Sequence, residues 1–525
     1  MSETYLLALD LGTSGPKVAL FTTQGEWIGT EFQATPLLLF RDGGAEQSPD
    51  DWWNAVDQAM QRLLGRNLVS PERIVGLACT GQWSGTVPVD PEGQPLENAI
   101  IWMDSRGAPY VREVVMGPVR IQGYDPLKLM FWIWLTAGAP SLSGKDSLAH
   151  ILYLKHTRPD LYRRTFKFLE PVDYLGWCLT GRMAASFASI ALHWVTNNRN
   201  IHAVRYDERL LRWAGLEREK LPELQPANSI LGVIRPELAR RWGLRSDVRV
   251  VIGSPDVQSA AVGSGAIHDF EPHLYIGTSS WLTCHVPFKK ADLLHSLATL
   301  PSAIPGRYLL TNEQECAGAC LQFLRDKVFF AQDELAVGER PAHVYRLFDA
   351  MAERAPAGSG RILFLPWLYG ERAPIDDRYA RGGFFNLSLS SQREHLVRAV
   401  FEGVAFNTRW LLTFVESFLG RRVTAVNMVG GGARSQVWCQ ILADVLNRPI
   451  RQMKDPLEVN VRGAALLAAV ALGYLSYDQI EARVPVAKTY FPQPQNRAIY
   501  DELFGEFVAL YRQNRASFLR LNRAG

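Results

Sequence analysis

The sequence predicts an α/β protein of two related domains, on three observations. An apolar run, Leu6-Leu7-Ala8-Leu9, reaches Asp10, turns through Gly12-Thr13-Ser14-Gly15 and returns through Lys17-Val18-Ala19-Leu20-Phe21. A second copy, Leu274-Tyr275-Ile276-Gly277-Thr278-Ser279-Ser280-Trp281-Leu282-Thr283, lies in the other half of the chain. The length, 525 residues, exceeds what one hydrophobic core organises and points to two or three domains of roughly 150–250 residues.

Each copy reads as a β-hairpin whose tip exposes backbone N–H groups and hydroxyls. Such a tip can cradle phosphates, and Asp10, just before the first turn, can hold Mg²⁺ through water. One Asp-x-Gly-Thr alone is shared with ordinary tight turns. The second copy, with no acid before it, suggests two phosphate hairpins closing on one nucleotide, with Thr13, Ser14 and Lys17 on one side and Gly277 and Thr278 on the other.

Between the hairpins, Ser48 before Pro49, Asp50 and Asp51 starts a helix that runs to about Leu64. Residues Arg73–Cys79 form a strand that breaks into Thr80-Gly81-Gln82-Trp83-Ser84-Gly85, the kind of strand end where α/β proteins place ligand contacts. The apolar run Ala99–Trp102 follows, ending in Trp102-Met103-Asp104-Ser105-Arg106, and the stretch from Ser147 to Leu211 is largely helical. Asp247–Gly253 reads as a buried strand, with a domain boundary near residue 245 separating a domain at 1–245 from one at 246–525. Further on come a helix near Cys316, a helix reaching Glu402, and a strand ending in Gly430-Gly431-Gly432 before a helix near Ser435.

Composition excludes several classes. With 56 basic and 53 acidic residues, a formal charge of +3 and no basic block, neither nucleic acid nor an anionic membrane is the expected partner. Six cysteines without a C-x-x-C pair fit a reduced, cytoplasmic setting, and Cys316 and Cys320 read as buried side chains. The longest apolar segments, Leu129–Pro140 and Gly463–Gly473, are too short for a membrane span and read as buried elements. Among the tryptophans, Trp52, Trp53, Trp132 and Trp134 read as core.

Asp256 is the leading catalytic residue. It follows a strand and opens a helix, where it can accept a proton from a substrate hydroxyl. Gln82, Trp83, Asp104 and Arg106 combine an aromatic wall with donors and acceptors, the mixture that binds sugars. The glycines at 430–432 permit close approach of a phosphate or a flat ligand, and Gly318 with Gln322 on one helix face leaves room for a purine.

Together these residues resemble the FGGY carbohydrate kinase family. The resemblance spans nearly the whole chain: both hairpins, the Trp-x-Asp-x-Arg element at 102–106, Asp173-Tyr174 with Leu179-Thr180-Gly181, and the strand leading to Asp256. It continues through Ala317-Gly318-Ala319 with Gln322, Phe364-Leu365-Pro366 with Gly370-Glu371-Arg372-Ala373-Pro374, Glu402–Phe406, and Gly430–Ala433 with Ser435 and Trp438. It implies two ribonuclease-H-like domains around a catalytic cleft, ATP and Mg²⁺, and a sugar or polyol acceptor, with a homodimer left open. It also implies Asp256 as base, Asp10 as the acid on the metal side, Thr13 and Thr278 at the phosphates, and Gly318, Gln322, Gly431, Gly432 and Ser435 around the nucleotide. The layout is most similar to the xylulokinases, whose Gly-Gln-Met-His-Gly is replaced here by Gly81-Gln82-Trp83-Ser84-Gly85. The rival from another class is a non-catalytic ATP-binding switch, which would lack a base and an acceptor pocket.

Overall fold

The computed structural model describes residues 3–334 and 340–523. Strands β1 (Tyr5–Gly12) and β2 (Gly15–Thr22) form the first hairpin, with Gly12 opposite Gly15. At Gly15 φ is +137° and a Cβ would stand 2.0 Å from the Gln33 carbonyl oxygen, so glycine is needed to close this turn. Strand β3 (Trp27–Phe32) extends the meander. Helix α1 (Pro49–Gly65) starts as its sequence dictates, with Ser48 Oγ accepting the Asp51 N–H at 3.2 Å. It buries Trp52, Val56 and Met60 against Leu7, Leu9 and Leu11 of β1. Strand β4 (Ile74–Gly81) then pairs parallel to β1.

Helices α2 (Pro126–Thr136), α3 (Ser147–Thr157) and α4 (Pro171–Thr180) build the side of the first domain. Two expectations change here. The apolar segment 129–140 is helical only to Thr136, and although Trp132 is buried, Met130 and Trp134 are at least half exposed. The helical stretch expected to Leu211 is interrupted by short paired strands, Lys167–Leu169 before α4 and Ala184–Ser186 after it, and Glu208–Ala214 is again helical.

Strands β5 (Ile230–Val233) and β6 (Arg249–Pro255) complete a six-stranded sheet in the order β5-β6-β4-β1-β2-β3. Because β6 pairs parallel to β4, it belongs to the first sheet. The boundary expected near residue 245 is therefore corrected: helix α5 (Asp256–Gly263) still follows a first-sheet strand, and the crossing to the second sheet runs over 264–271.

The second sheet opens with the hairpin β7 (Pro272–Ile276) and β8 (Ser280–Val286), then β9 (Ala291–Asp292), β10 (Leu297–Pro301) and β11 (Tyr308–Thr311). After helices α6 (Gly318–Phe323) and α7 (Arg393–Leu419) come β12 (Val426–Val429), α8 (Gln436–Leu446), β13 (Ile450–Met453), α9 (Val459–Ala471) and β14 (Val486–Tyr490). Helix α7 does not stop at Glu402, which is buried within it. The order β9-β10-β11-β8-β7-β12-β13-β14 contains the same motif as the first sheet. In both, an antiparallel hairpin is followed outward by two parallel strands, β12 and β13 matching β4 and β6. The two ribonuclease-H-like units expected from the sequence are thus present.

Between the sheets, Leu6, Ala8 and Ala78 pack with Ala260 of α5 and Ala464, Ala465 and Ala468 of α9. Helices α5 and α9 touch backbone to backbone. A Cβ on Gly263 would lie 1.9 Å from the Val459 oxygen, and one on Gly463 1.8 Å from the Ser259 oxygen. This contact fixes the start of α5, at Asp256, relative to Asn460 at the start of α9. Among the described residues no helix is long and apolar enough to cross a membrane. All six cysteines are buried and unpaired.

Candidate active site

The sheet register aligns two carboxylates at one edge. Asp10 of β1 is level with Thr80 of β4, and Thr80 is level with Ser254 of β6, two residues before Asp256. The acids are therefore two strands apart, about 10 Å across the strands at ordinary spacing, with Asp256 two residues further along. Burial, followed by the charge of Asp10, pushes the Asp256 carboxyl up to about 8. Asp256 Oδ1 accepts the Val257 N–H at 2.8 Å, anchoring the side chain at the helix start. Burial also raises Asp10, against the attraction of Lys17 and a hydrogen bond from Asn460. Asn460 Nδ2 donates to Asp10 Oδ2 at 3.2 Å, while the buried Oδ1 has no hydrogen-bond partner among the described residues. Burial, followed by the charges of Asp10 and Asp256, raises the hydroxyl of Tyr275 of β7, whose ring stacks on Trp281 of β8 with centroids 4.0 Å apart. The two sheets and both acids thus face one cleft.

The first hairpin tip joins a polar network. Thr13 Oγ1 donates to Gln82 Oε1 at 3.3 Å and accepts the Trp102 indole N–H at 3.0 Å. Gln82 Nε2 donates to Gln47 Oε1 at 2.9 Å, and Gln47 donates to the Thr13 carbonyl at 2.9 Å. Ser14 stands exposed at the tip. Lys17 differs from expectation: its ammonium donates to the Leu457 carbonyl at 2.6 Å and pairs with Glu458 at 3.3 Å, so it ties the hairpin to the start of α9.

The wall residues are held firmly. Trp83 is half-buried, and its indole N–H donates to the Ser189 carbonyl at 2.9 Å. Ser84 has a left-handed φ of +63°, and its hydroxyl donates to the Lys145 carbonyl at 2.8 Å. The polar atoms of both are engaged by the protein, which leaves the Trp83 ring as the surface offered to a ligand. Asp104 is buried and accepts from Ala45 N, Arg106 N and Arg106 Nε, each at 2.9 Å. Arg106 also reaches Glu46 at 2.6 Å and lies over the Tyr153 ring. This pair is a cross-brace as much as a set of free donors.

On the other side, Gly277 and exposed Thr278 form the second tip. Gly318 N donates to the Gly277 carbonyl at 2.9 Å, and a Cβ on Gly318 would lie 2.3 Å from that oxygen. The glycine therefore lets α6 dock onto the hairpin. Gln322, one turn on, is exposed. Gly431 is exposed beside buried Gly432, after Gly430 with φ +82°. Ser435 also departs from expectation: its Oγ caps α8 by accepting Trp438 N at 3.1 Å and donates to Asp349 at 2.7 Å.

Several cleft residues carry no local sequence signal. Asn460 lies 450 positions from the Asp10 it contacts. Glu313 is close enough to Asp256 to raise its carboxyl further, and Glu313 and Glu315 flank Arg372 at 2.6 and 3.0 Å.

The N-terminal domain model of the FGGY family of carbohydrate kinases matches residues 5–263, and the C-terminal domain model matches 274–472. A xylulose kinase of Staphylococcus epidermidis is 27% identical over 518 residues, 98% of each chain. Among solved structures, a gluconate kinase from Lactobacillus acidophilus superposes with a TM-score of 0.86 at 25% identity, covering 99% of this chain and 100% of that one. A xylulose kinase from the same organism gives 0.85 at 25% identity with the same coverage. This chain belongs to the FGGY family of carbohydrate kinases and is an enzyme that phosphorylates a carbohydrate with ATP.

Proposed function

We propose that the acceptor is a ketopentose such as D-xylulose, and that Asp256 orients and deprotonates the hydroxyl that attacks the γ-phosphorus of ATP. The observation that carries this reading is the pair Asp256 and Asp10 at the same end of two strands of one sheet, Asp256 two residues past the position level with Asp10 and raised by its charge. In line attack needs a base close to the acceptor, and a carboxyl raised to about 8 takes up a proton readily near neutral pH. The tips at Thr13, Ser14, Gly277 and Thr278 bracket the phosphates with backbone N–H groups. Gly318, Gln322, Gly431 and Gly432 line the adenosine side. The Trp83 ring and Gln82 form the sugar wall, braced by Asp104 and Arg106.

The buried, unpartnered Oδ1 of Asp10 suits a hydrated cation. Asp10 would hold Mg²⁺ through water, and the ion would offset charge on the phosphate oxygens. Asn460 fixes the carboxylate's orientation from the other oxygen.

The likeness to a gluconate kinase favours a second reading, a sugar acid or another ketose or polyol as acceptor. Ranking kcat/KM over pentuloses, hexuloses, aldonates and polyols tests the two. D-Xylulose should be turned over, though it need not rank first, because Trp83 and Ser84 remove a titratable contact that Met-His supplies in the xylulokinases. Losing one such hydrogen bond weakens discrimination by roughly 1–3 kcal/mol. A Trp83→Met, Ser84→His double variant should therefore reorder the ketoses. An unchanged ranking would show that these two residues do not set specificity.

A further inference from the structure

The connection Ala137–Asp146 in the first domain carries, next to its last residue, a lysine that neither the hairpins nor the acids account for. Lys145 is held by its backbone. Its carbonyl accepts the Ser84 hydroxyl at 2.8 Å, and the next residue, Asp146, caps α3 through Ala149 N at 3.2 Å and accepts the Trp194 indole N–H at 2.8 Å. The side chain is left to cross the cleft. Its Nζ lies 5.2 Å from the ring centroid of Tyr369, an exposed residue of the second domain. It is also near enough to Glu313 and Glu315 to act on both carboxyls, beside burial and the larger effect of Arg372. Glu313 in turn acts on Asp256. Lys145 thus stands between the Gln82–Gly85 turn and the acids beside the proposed base. Among the described residues its ammonium meets no hydrogen-bond acceptor, which leaves three N–H donors facing the cleft.

We propose that Lys145 is a specificity-determining residue of the acceptor site, its ammonium donating to hydroxyls of an uncharged sugar or polyol as the two domains close. This inference rests on the kinase reading of the same cleft. The charge balance argues for the uncharged class. Asp10, Asp256, Glu313, Glu315 and Glu458 outnumber the three nearby cations, Lys17, Arg372 and Lys145, so the carboxylate of a sugar acid would enter a region already rich in acidic groups. Hydroxyls accept from an ammonium without adding to that charge. Because Ser84 holds the Lys145 backbone, the turn that departs from the xylulokinase pattern also sets where this cation stands.

The test is steady-state kinetics of Lys145→Met, Lys145→Arg and Tyr369→Leu with D-xylulose, D-gluconate and ATP, beside thermal unfolding of each variant. Lys145→Met should raise the acceptor KM by about tenfold or more, the worth of a hydrogen bond to a charged group, with the ATP KM and the melting temperature little changed. Lys145→Arg should recover most of the loss, and Tyr369→Leu should have a much smaller effect. An acceptor KM unmoved in Lys145→Met overturns the proposal, as does an equal rise in both KM values. If Tyr369→Leu reproduces Lys145→Met, the lysine serves only as a latch between domains and the acceptor contact is refuted. A natural enzyme that prefers D-gluconate refutes the uncharged class alone. A natural enzyme that turns over no sugar at all refutes the kinase reading beneath it.

Discussion

An Asp256→Asn enzyme is expected to turn over on the order of 10²–10⁴-fold more slowly than the natural one, with ATP and sugar binding retained, because a positioned general base contributes that much. The amide is nearly isosteric and keeps an oxygen for the Val257 N–H, so the start of α5 should hold its place. What is lost is the proton acceptor. The same geometry sets the pH dependence. Burial and the neighbouring charge of Asp10 raise Asp256 to about 8, so the ionised base accumulates as pH rises towards and past that value. The kcat/KM for the acceptor should climb with pH and level off above it, and this limb should vanish in Asp256→Asn. Turnover within a few-fold of the natural enzyme would remove Asp256 from the chemistry.

Asp10→Ala is expected to abolish phosphoryl transfer while the protein remains folded. Asp10 lies within β1, buried, two residues before Gly12 opens the turn. The fold should nonetheless survive the change. A buried carboxylate with one unpartnered oxygen carries an uncompensated desolvation cost, and alanine removes that cost together with the Asn460 contact. Circular dichroism and thermal unfolding check the fold, and a Mg²⁺ titration of the residual rate checks the role. A variant that unfolds, or one that stays active with the same Mg²⁺ requirement, contradicts the assignment.

What the sequence made legible is what short-range chemistry decides. Both hairpins, the Ser48 cap and the strand-to-Asp256 junction follow from turn glycines, capping hydroxyls and apolar runs, each readable within about ten residues. What it hid is decided by partners far along the chain. The run Asp247–Gly253 reads as a strand and is one over Arg249–Pro255, yet its partner, Ile74–Gly81, lies in the distant first part of the chain, and a local reading therefore puts the boundary too early. Lys17 and Ser435 have the right chemistry for a nucleotide contact, but Glu458 and Asp349 engage them. Conversely, Asn460, Glu313 and Lys145 sit in no motif, and only the packing of α9 on α5 and the approach of the two domains to each other bring them to the cleft. The half-exposed Trp134 shows the same limit, since an apolar helix does not declare which of its faces is covered.

We infer that one cleft joins ATP to a sugar hydroxyl through Asp256. The most direct test is ADP release by the natural enzyme, with Mg²⁺ and ATP, in the presence and absence of D-xylulose and the other candidate acceptors, repeated with Asp256→Asn. Release should be slow without acceptor and rise strongly with at least one ketose or polyol, a phosphorylated sugar should form in equal amount to ADP, and the rise should be lost in the variant. Release that no acceptor stimulates, or stimulation that survives the loss of Asp256, would contradict it.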